Sequence, residues 1–350
     1  MRTERQQEAG AGWIAFLLIA VLGLFYVKWM PYWGKAFVAA SNHSIGSSIL
    51  MGSAASPPTP SWHAAADYAW AYGKAIWQAM VLGLLLGSAV QALLPSEWIL
   101  RLLGRANPGS VLRGAMLAVP GMMCTCCAAP VVVGLRKARA SAGAAIAFWL
   151  GNSVLNPATL IFIGFVLGWR WSALRLVLGI VAVLGLGLIA NRLVSPEEAK
   201  AAERHLADIR IAPPGTGPFT RWLAILARMT VRLIPEYIVL VLLLGAARAW
   251  LFPHAGPEID NGFGWILAFA AAGTLFVIPT AGEVPIIQAM LALGVGVGPA
   301  GALLMVLPPI SVPSLALVGR AFSLRLLAVL TIGIVAIGVI GGLAAVALRF

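Results

Sequence analysis

Apolar residues fall in long blocks along this chain, divided by short polar ones. After a charged start, Met1 to Gly10, a first apolar run covers about Trp13 to Tyr26 and gives way to Lys28, Trp29, Pro31 and Tyr32. Further runs cover about 75–94, 109–135, 142–168, 172–194, 233–252, 262–296, 299–319 and 325–348. A helix needs about 20 apolar residues to cross a bilayer, so the pattern predicts an all-α polytopic membrane protein. No small-residue cleavage site follows the first run. It therefore reads as an extra, retained N-terminal span with an aromatic anchor rather than a signal peptide. Residues 36–68, rich in Ala, Ser and Pro, predict a loop with at most a short interfacial helix, and His43 and His63 within it read as surface residues.

Two of the runs do not fit as simple helices. The stretch 109–135 is interrupted by Pro120-Gly121, by three cysteines and by Pro130, and the stretch 262–296 is too long and is broken between Pro279 and Pro285. Proline removes a backbone donor and clashes with the preceding turn. Backbone freed at membrane depth is tolerated only where it is buried in protein or lines a cavity. The most polar segment, 195–220, divides the chain, and the two sides echo each other. The first reads Cys124-Thr125-Cys126-Cys127-Ala-Ala-Pro130, then Asn152-Ser-Val-Leu-Asn156-Pro157; the second reads Pro279-Thr280-Ala-Gly-Glu283-Val-Pro285, then Pro308-Pro-Ile-Ser311-Val-Pro313. Pro130 to Pro157 is 27 positions and Pro285 to Pro313 is 28. Broken segments at matching places in two halves point to a transporter's substrate site. The expected organisation is an N-terminal span with an extracytoplasmic loop (1–70), a first transmembrane repeat (71–194), a cytoplasmic linker (195–230) and a second repeat (231–350). The two repeats are expected to be inverted, each with a proline-broken re-entrant hairpin.

Composition narrows the class further. The chain is 61% hydrophobic and only 10% charged, against roughly 25% charged in soluble domains. A soluble enzyme, a nucleic-acid binder and a disordered scaffold are excluded on that ground. The formal charge of +12 fits Lys and Arg gathered in cytoplasmic loops against anionic lipid. With a cytoplasmic N-terminus, most of the 24 lysines and arginines fall inside. Lys28, Lys35, Lys74, Arg170, Arg175, Arg248 and Arg349 are then assigned outside, Arg170 and Arg175 with the poorest fit.

Chemistry concentrates at the breaks. The only three cysteines are Cys124, Cys126 and Cys127, too clustered and too few for a disulfide framework. Thiolates select soft metals and metalloids. On a regular helix Cys124 and Cys127 share a face while Cys126 points elsewhere; three thiols converge only if the backbone departs from a helix. Met122 and Met123 read mainly as packing. Glu283 lies inside an apolar run, and an intramembrane carboxylate is a functional hypothesis by default: substrate contact or proton coupling, with an Arg partner or exposure at a hairpin tip as the plainer accounts. Asn152, Ser153, Asn156, Ser311 and Ser314 suit either a polar path or bonds between helices. Gly296, Gly298 and Gly301 match G-x-G-x-x-G without a βαβ unit, so they read as shaping a turn between apolar segments. With no H-E-x-x-H, Walker A or G-x-S-x-G motif, neither an enzyme, a primary ATP motor nor a resident cofactor is expected.

The run Pro120-Gly-Met-Met-Cys124-Thr-Cys-Cys-Ala-Ala-Pro130, followed by Ala140-Ser-Ala-Gly and Leu155-Asn-Pro157, resembles the ArsP-type permease family over about 71–349. The resemblance implies an inner-membrane secondary permease that exports a soft, thiol-reactive metalloid, trivalent arsenic or antimony, inorganic or methylated, with Cys124, Cys126 and Cys127 as the thiols that meet it. Thr125, Asn152, Asn156, Thr280, Ser311 and Glu283 are the further candidate substrate contacts. Two departures stand out. A third cysteine would suit a three-thiolate inorganic ion, and Glu283 stands where a neutral Pro/Ser/Thr segment is expected. The expected partners are a small inorganic or organometalloid solute and membrane lipid, with a homo-oligomer left open. A permease for a sulfur compound or metal ion, and a membrane thiol–disulfide electron carrier, remain as alternatives.

Overall fold

The computed structural model describes residues 2–49, 61–194, 217–251 and 256–350. Every regular element among them is helical. Among the described residues six helical stretches are long and apolar enough to cross a membrane: Gly12–Asn42, Trp62–Ala92, Ala142–Val166, Trp169–Leu193, Pro218–Ala246 and Leu324–Ala347. The expected linker lies largely outside the described residues, which resume just before a helix that starts at Pro218.

The first departure from expectation is at the N-terminus. Helix α1 (Arg2–Leu24) does not stop at the aromatic anchor. It passes through a π turn at Phe25–Trp29 into α2 (Met30–Asn42). Pro31 sits in the first turn of α2, just after the π turn. Wider π bonding next to a proline re-aims the helix without ending it. The expected 36–68 loop is correspondingly shorter, because α3 (Trp62–Ala92) begins early, with the Ser61 hydroxyl accepting from Ala64 N at 3.1 Å.

The rest of the first half comprises α4 (Ser96–Leu103), α5 (Pro108–Ala118), α6 (Thr125–Lys137), α7 (Ala142–Val154), α8 (Pro157–Val166) and α9 (Trp169–Leu193). Helices α5 and α7 run in the same direction. Ser110 and Ser141 meet at one end, Oγ to Oγ 3.4 Å, and Gly121 meets Asn152 at the other. After the turn at 119–124, helix α6 runs back along α7, with Trp149 Nε1 donating to Thr125 O at 2.9 Å. Helix α8 continues beyond α7 after a break at Leu155-Asn156. There the Asn156 side chain caps α8 through Ala158 N (3.1 Å) and Thr159 N (3.3 Å). Losing such a cap costs about 1 kcal/mol. Asn156→Ala is therefore expected to lower the thermal midpoint of the purified protein, while Asn156→Asp keeps the cap and most of the midpoint.

The second half comprises α10 (Pro218–Leu251), α11 (Phe263–Gly273), α12 (Glu283–Ala292), α13 (Val297–Val306), α14 (Val312–Val318) and α15 (Leu324–Ala347). Its α11 and α13 are again co-directional. Gly298 N donates to Asn261 Oδ1 at 2.8 Å at one end, and Gly273 abuts Val306 at the other. Helices α3 and α10 lie side by side in opposite directions: Trp222 Nε1 donates to Ser88 Oγ (2.9 Å), Tyr72 bonds Tyr237 (2.7 Å), and Gly245 packs on Ala65 and Tyr68. Gly298 and Gly301 let α15 approach at Gly342 and Gly341, the close small-residue contact that membrane helices use in place of a hydrophobic driving force.

Candidate substrate site

The breaks in the two halves are built alike. In the first, a 3-10 turn at Val119–Gly121 leads to Met122 in the left-handed region (φ 47°) and then to Cys124, the residue that precedes α6. In the second, Ala281 holds the same left-handed conformation (φ 66°) two residues before α12. Non-glycine residues there are uncommon and cluster at functional sites. The freed backbone finds partners. Tyr68 donates to Val277 O (2.6 Å), Val312 N to Leu275 O (3.3 Å), Met123 N to Asn152 Oδ1 (3.4 Å) and Trp149 Nε1 to Thr125 O (2.9 Å).

All three cysteines are buried with their thiols free. The Cys124 and Cys127 sulfurs approach to 2.7 Å. They do so because Cys124 immediately precedes α6 and Cys127 lies in its first turn, three residues on. Cys126 turns toward the second half, with its Sγ 3.9 Å from Ser311 Oγ and its thiol beside the Tyr237 hydroxyl. Among the described residues no group of three His, Cys, Asp or Glu side chains is gathered as a metal-holding set. What is gathered is a pair, with the third thiol beside it. The amino end of α6 also aims its positive dipole at the pair.

Ser311 caps α14 and exchanges bonds with Ser314 (2.9 and 3.3 Å). Asn152 donates to Phe148 O (2.8 Å) as well as accepting from Met123 N. Asn156 is buried, and its Nδ2 has no partner among the described residues. Thr280 accepts a bond from Lys28 Nζ at 3.2 Å. Glu283 is 1% exposed, and its Oε1 lies 2.7 Å from Arg175 Nη1. Arg175 is itself fully buried; it also donates to Val154 O (3.2 Å), Ser153 O (2.8 Å) and Leu304 O (3.1 Å).

Two cations assigned to the outer face thus lie inside the protein. Arg175 pairs with Glu283, and Lys28 is 3% exposed, bonded to Tyr32 OH (3.3 Å) and Thr280, and within electrostatic reach of Cys127 and Cys124. Lys28, Tyr72 and Tyr237 were not singled out by the sequence pattern. The tyrosines carried a signal, since the chain has only five and four of them make buried or partly buried hydroxyl bonds around the breaks. Tyr72 and Tyr237 also line a cavity of about 490 Å³ between α3 and α10, whose other walls include Trp70, Trp77, Met80 and Pro130. The Tyr237 hydroxyl on that groove also lies beside Cys126.

Helices of spanning length surround two matched breaks, and polar groups from both halves converge there. That defines a multi-pass membrane transporter. The chain belongs to the ArsP-type family, described as predicted permeases, whose model matches residues 61–346. It is 50% identical over 331 residues to the UPF0718 protein YraQ of Escherichia coli K12, covering 94% of this chain and 93% of that one. It is 23% identical over 309 residues to the UPF0718 protein MJ0584 of Methanocaldococcus jannaschii, covering 69% of this chain and 84% of that one. No solved structure matches the chain. An inner-membrane location agrees with the Escherichia coli relative.

Proposed function

We propose that this permease exports a soft, thiol-reactive solute, a trivalent arsenic or antimony species, captured by Cys124 and Cys127. The observation that carries the reading is the buried sulfur pair, 2.7 Å apart, at the amino end of a broken helix and between the two halves. An organyl arsenoxide R–As=O and two thiols give R–As(S)₂ and one water, with no oxidant or reductant needed. Cys126, beside Ser311 and Tyr237, supplies a neighbouring thiol for exchange, so the solute leaves the pair without entering bulk water. The antiparallel placement of α3 and α10 supports reading the halves as inverted repeats with hairpins that enter from opposite faces. Rocking of one half against the other then gives alternating access. Proton coupling through Glu283 requires the Arg175 pair to open during the cycle.

Uptake into everted membrane vesicles tests this, with arsenite, antimonite and methylarsenite supplied with and without a proton gradient. Cysteine-dependent accumulation is expected, and Cys124→Ser/Cys127→Ser is expected to lose it at equal membrane abundance. Unchanged accumulation in the double variant overturns the thiol role. The same sulfur pair would serve a thiol–disulfide carrier, but the three cysteines leave no second pair to receive electrons. A trapped mixed disulfide with a thiol protein would favour that alternative.

A further inference from the structure

The N-terminal helix lies outside the stretch that the family model matches, yet it is fastened along the whole site. Gly12 abuts the backbone of Leu93, and Trp13 packs edge-on against Trp98 at 4.7 Å. Trp29 Nε1 donates to Pro120 O in the first break (2.9 Å), and Lys28 donates to Thr280 in the second. Beyond them Tyr32 packs on Phe162, and Gln288 Nε2 donates to His43 O (2.8 Å). The π turn at Phe25–Trp29 is the point at which this helix touches both breaks, and π turns recur at functional sites.

Lys28 is the unusual group there. An ammonium offers three donors, and Lys28 gives two of them to neutral hydroxyls. Among the described residues the ion pairs are His63 with Asp67, Arg175 with Glu283 and Arg320 with Glu236, so no carboxylate meets Lys28. Buried charges in membranes are paired or lie on a substrate path. The groups that face Lys28 are Tyr32, Thr280, Cys124 and Cys127. Capture of an arsenoxide by the two thiols yields a neutral complex, which leaves the ammonium without an anion.

We propose that Lys28 makes this a site for solutes that carry a negative charge beside their thiol-reactive centre. This rests on the reading that Cys124 and Cys127 capture the solute. The N-terminal helix is then part of the substrate site, and its lysine sets charge specificity while the cysteines set reactivity.

Two probes that differ only in charge separate these roles: phenylarsine oxide and 4-carboxyphenylarsine oxide. Binding to the purified full-length protein in detergent is followed by tryptophan fluorescence. The wild type is expected to prefer the carboxylated probe by about tenfold, as a close buried charge pair allows. The preference is expected to fall to about one in Lys28→Met and in Lys28→Gln, which keeps hydrogen-bonding capacity, and to survive in Lys28→Arg. Size-exclusion elution at the wild-type position shows that each variant is folded. Equal binding of the two probes by the wild type, with both still dependent on Cys124 and Cys127, overturns the charge proposal and leaves thiol capture standing. A preference that persists in Lys28→Met overturns it as well. If neither probe binds the wild type, thiol capture fails and the charge proposal fails with it.

Discussion

Arg175→Met is expected to be among the most damaging single substitutions in this chain, destabilising it by about 3–5 kcal/mol, the usual cost of breaking a buried ion pair from one side. Two losses combine. Glu283, 1% exposed and bonded at 2.7 Å, is left as a buried carboxylate without its cation. The carbonyls of Ser153 and Val154 at the carboxyl end of α7, and of Leu304 near the end of α13, lose donors. Those are carbonyls that a helix end leaves without partners, so one guanidinium closes the broken helices of both halves and holds the amino end of α12. Glu283→Gln removes the charge but keeps a hydrogen-bond acceptor and leaves the carbonyl bonds in place, so its cost is expected to be clearly smaller. Arg175→Lys keeps the charge but cannot fork to several oxygens and is expected to fall between the two. Thermal midpoints of the detergent-purified variants give the order. Equal losses for Arg175→Met and Glu283→Gln would show that the ion pair alone matters and the carbonyl bonds do not.

This clasp shows which parts of the site the sequence could carry. The breaks were legible at Pro120-Gly121 and at Pro279 to Pro285, because proline and glycine act on their own local backbone. The shared face of Cys124 and Cys127 was legible too, since helical spacing alone decides it. Arg175 was not, because its four partners lie 21, 22, 108 and 129 positions away. On hydropathy it could only be counted as a misplaced outer-face charge. Lys28 failed for a related reason. Pro31 and the aromatic residues suggested the end of a span, and only the π turn lets the helix continue and carry the lysine to Thr280 in the second break. Cys126 shows the converse: its turn toward Ser311 follows from spacing, but that Ser311 waits there depends on the second half folding against the first.

Helix α3 decides where the thiol pair sits, and the expected effect of Gly83→Ala follows from that. A Cβ at Gly83 would lie 2.1 Å from the carbonyl oxygen of Cys127 and 3.0 Å from its carbonyl carbon. Both atoms belong to backbone, so no rotamer change relieves the clash, and the first turn of α6 must move. Overpacking of this kind costs about 1–3 kcal/mol. Because Cys127 itself is displaced, the 2.7 Å approach to Cys124 is expected to open and binding of a dithiol-selective arsenical to weaken with it. Gly73→Ala, ten positions earlier on the same helix, is the matched control. Nothing lies within 4 Å of its added methyl, and alanine in a helix interior is favoured over glycine by about 0.5–1 kcal/mol. A lowered thermal midpoint and weakened arsenical binding for Gly83→Ala, beside an unchanged or raised midpoint for Gly73→Ala, would tie the thiol geometry to helix packing rather than to helix propensity. Equal behaviour of the two variants would mean that α6 yields freely at its amino end, and the sulfur pair would then owe its spacing to the α6 turn alone.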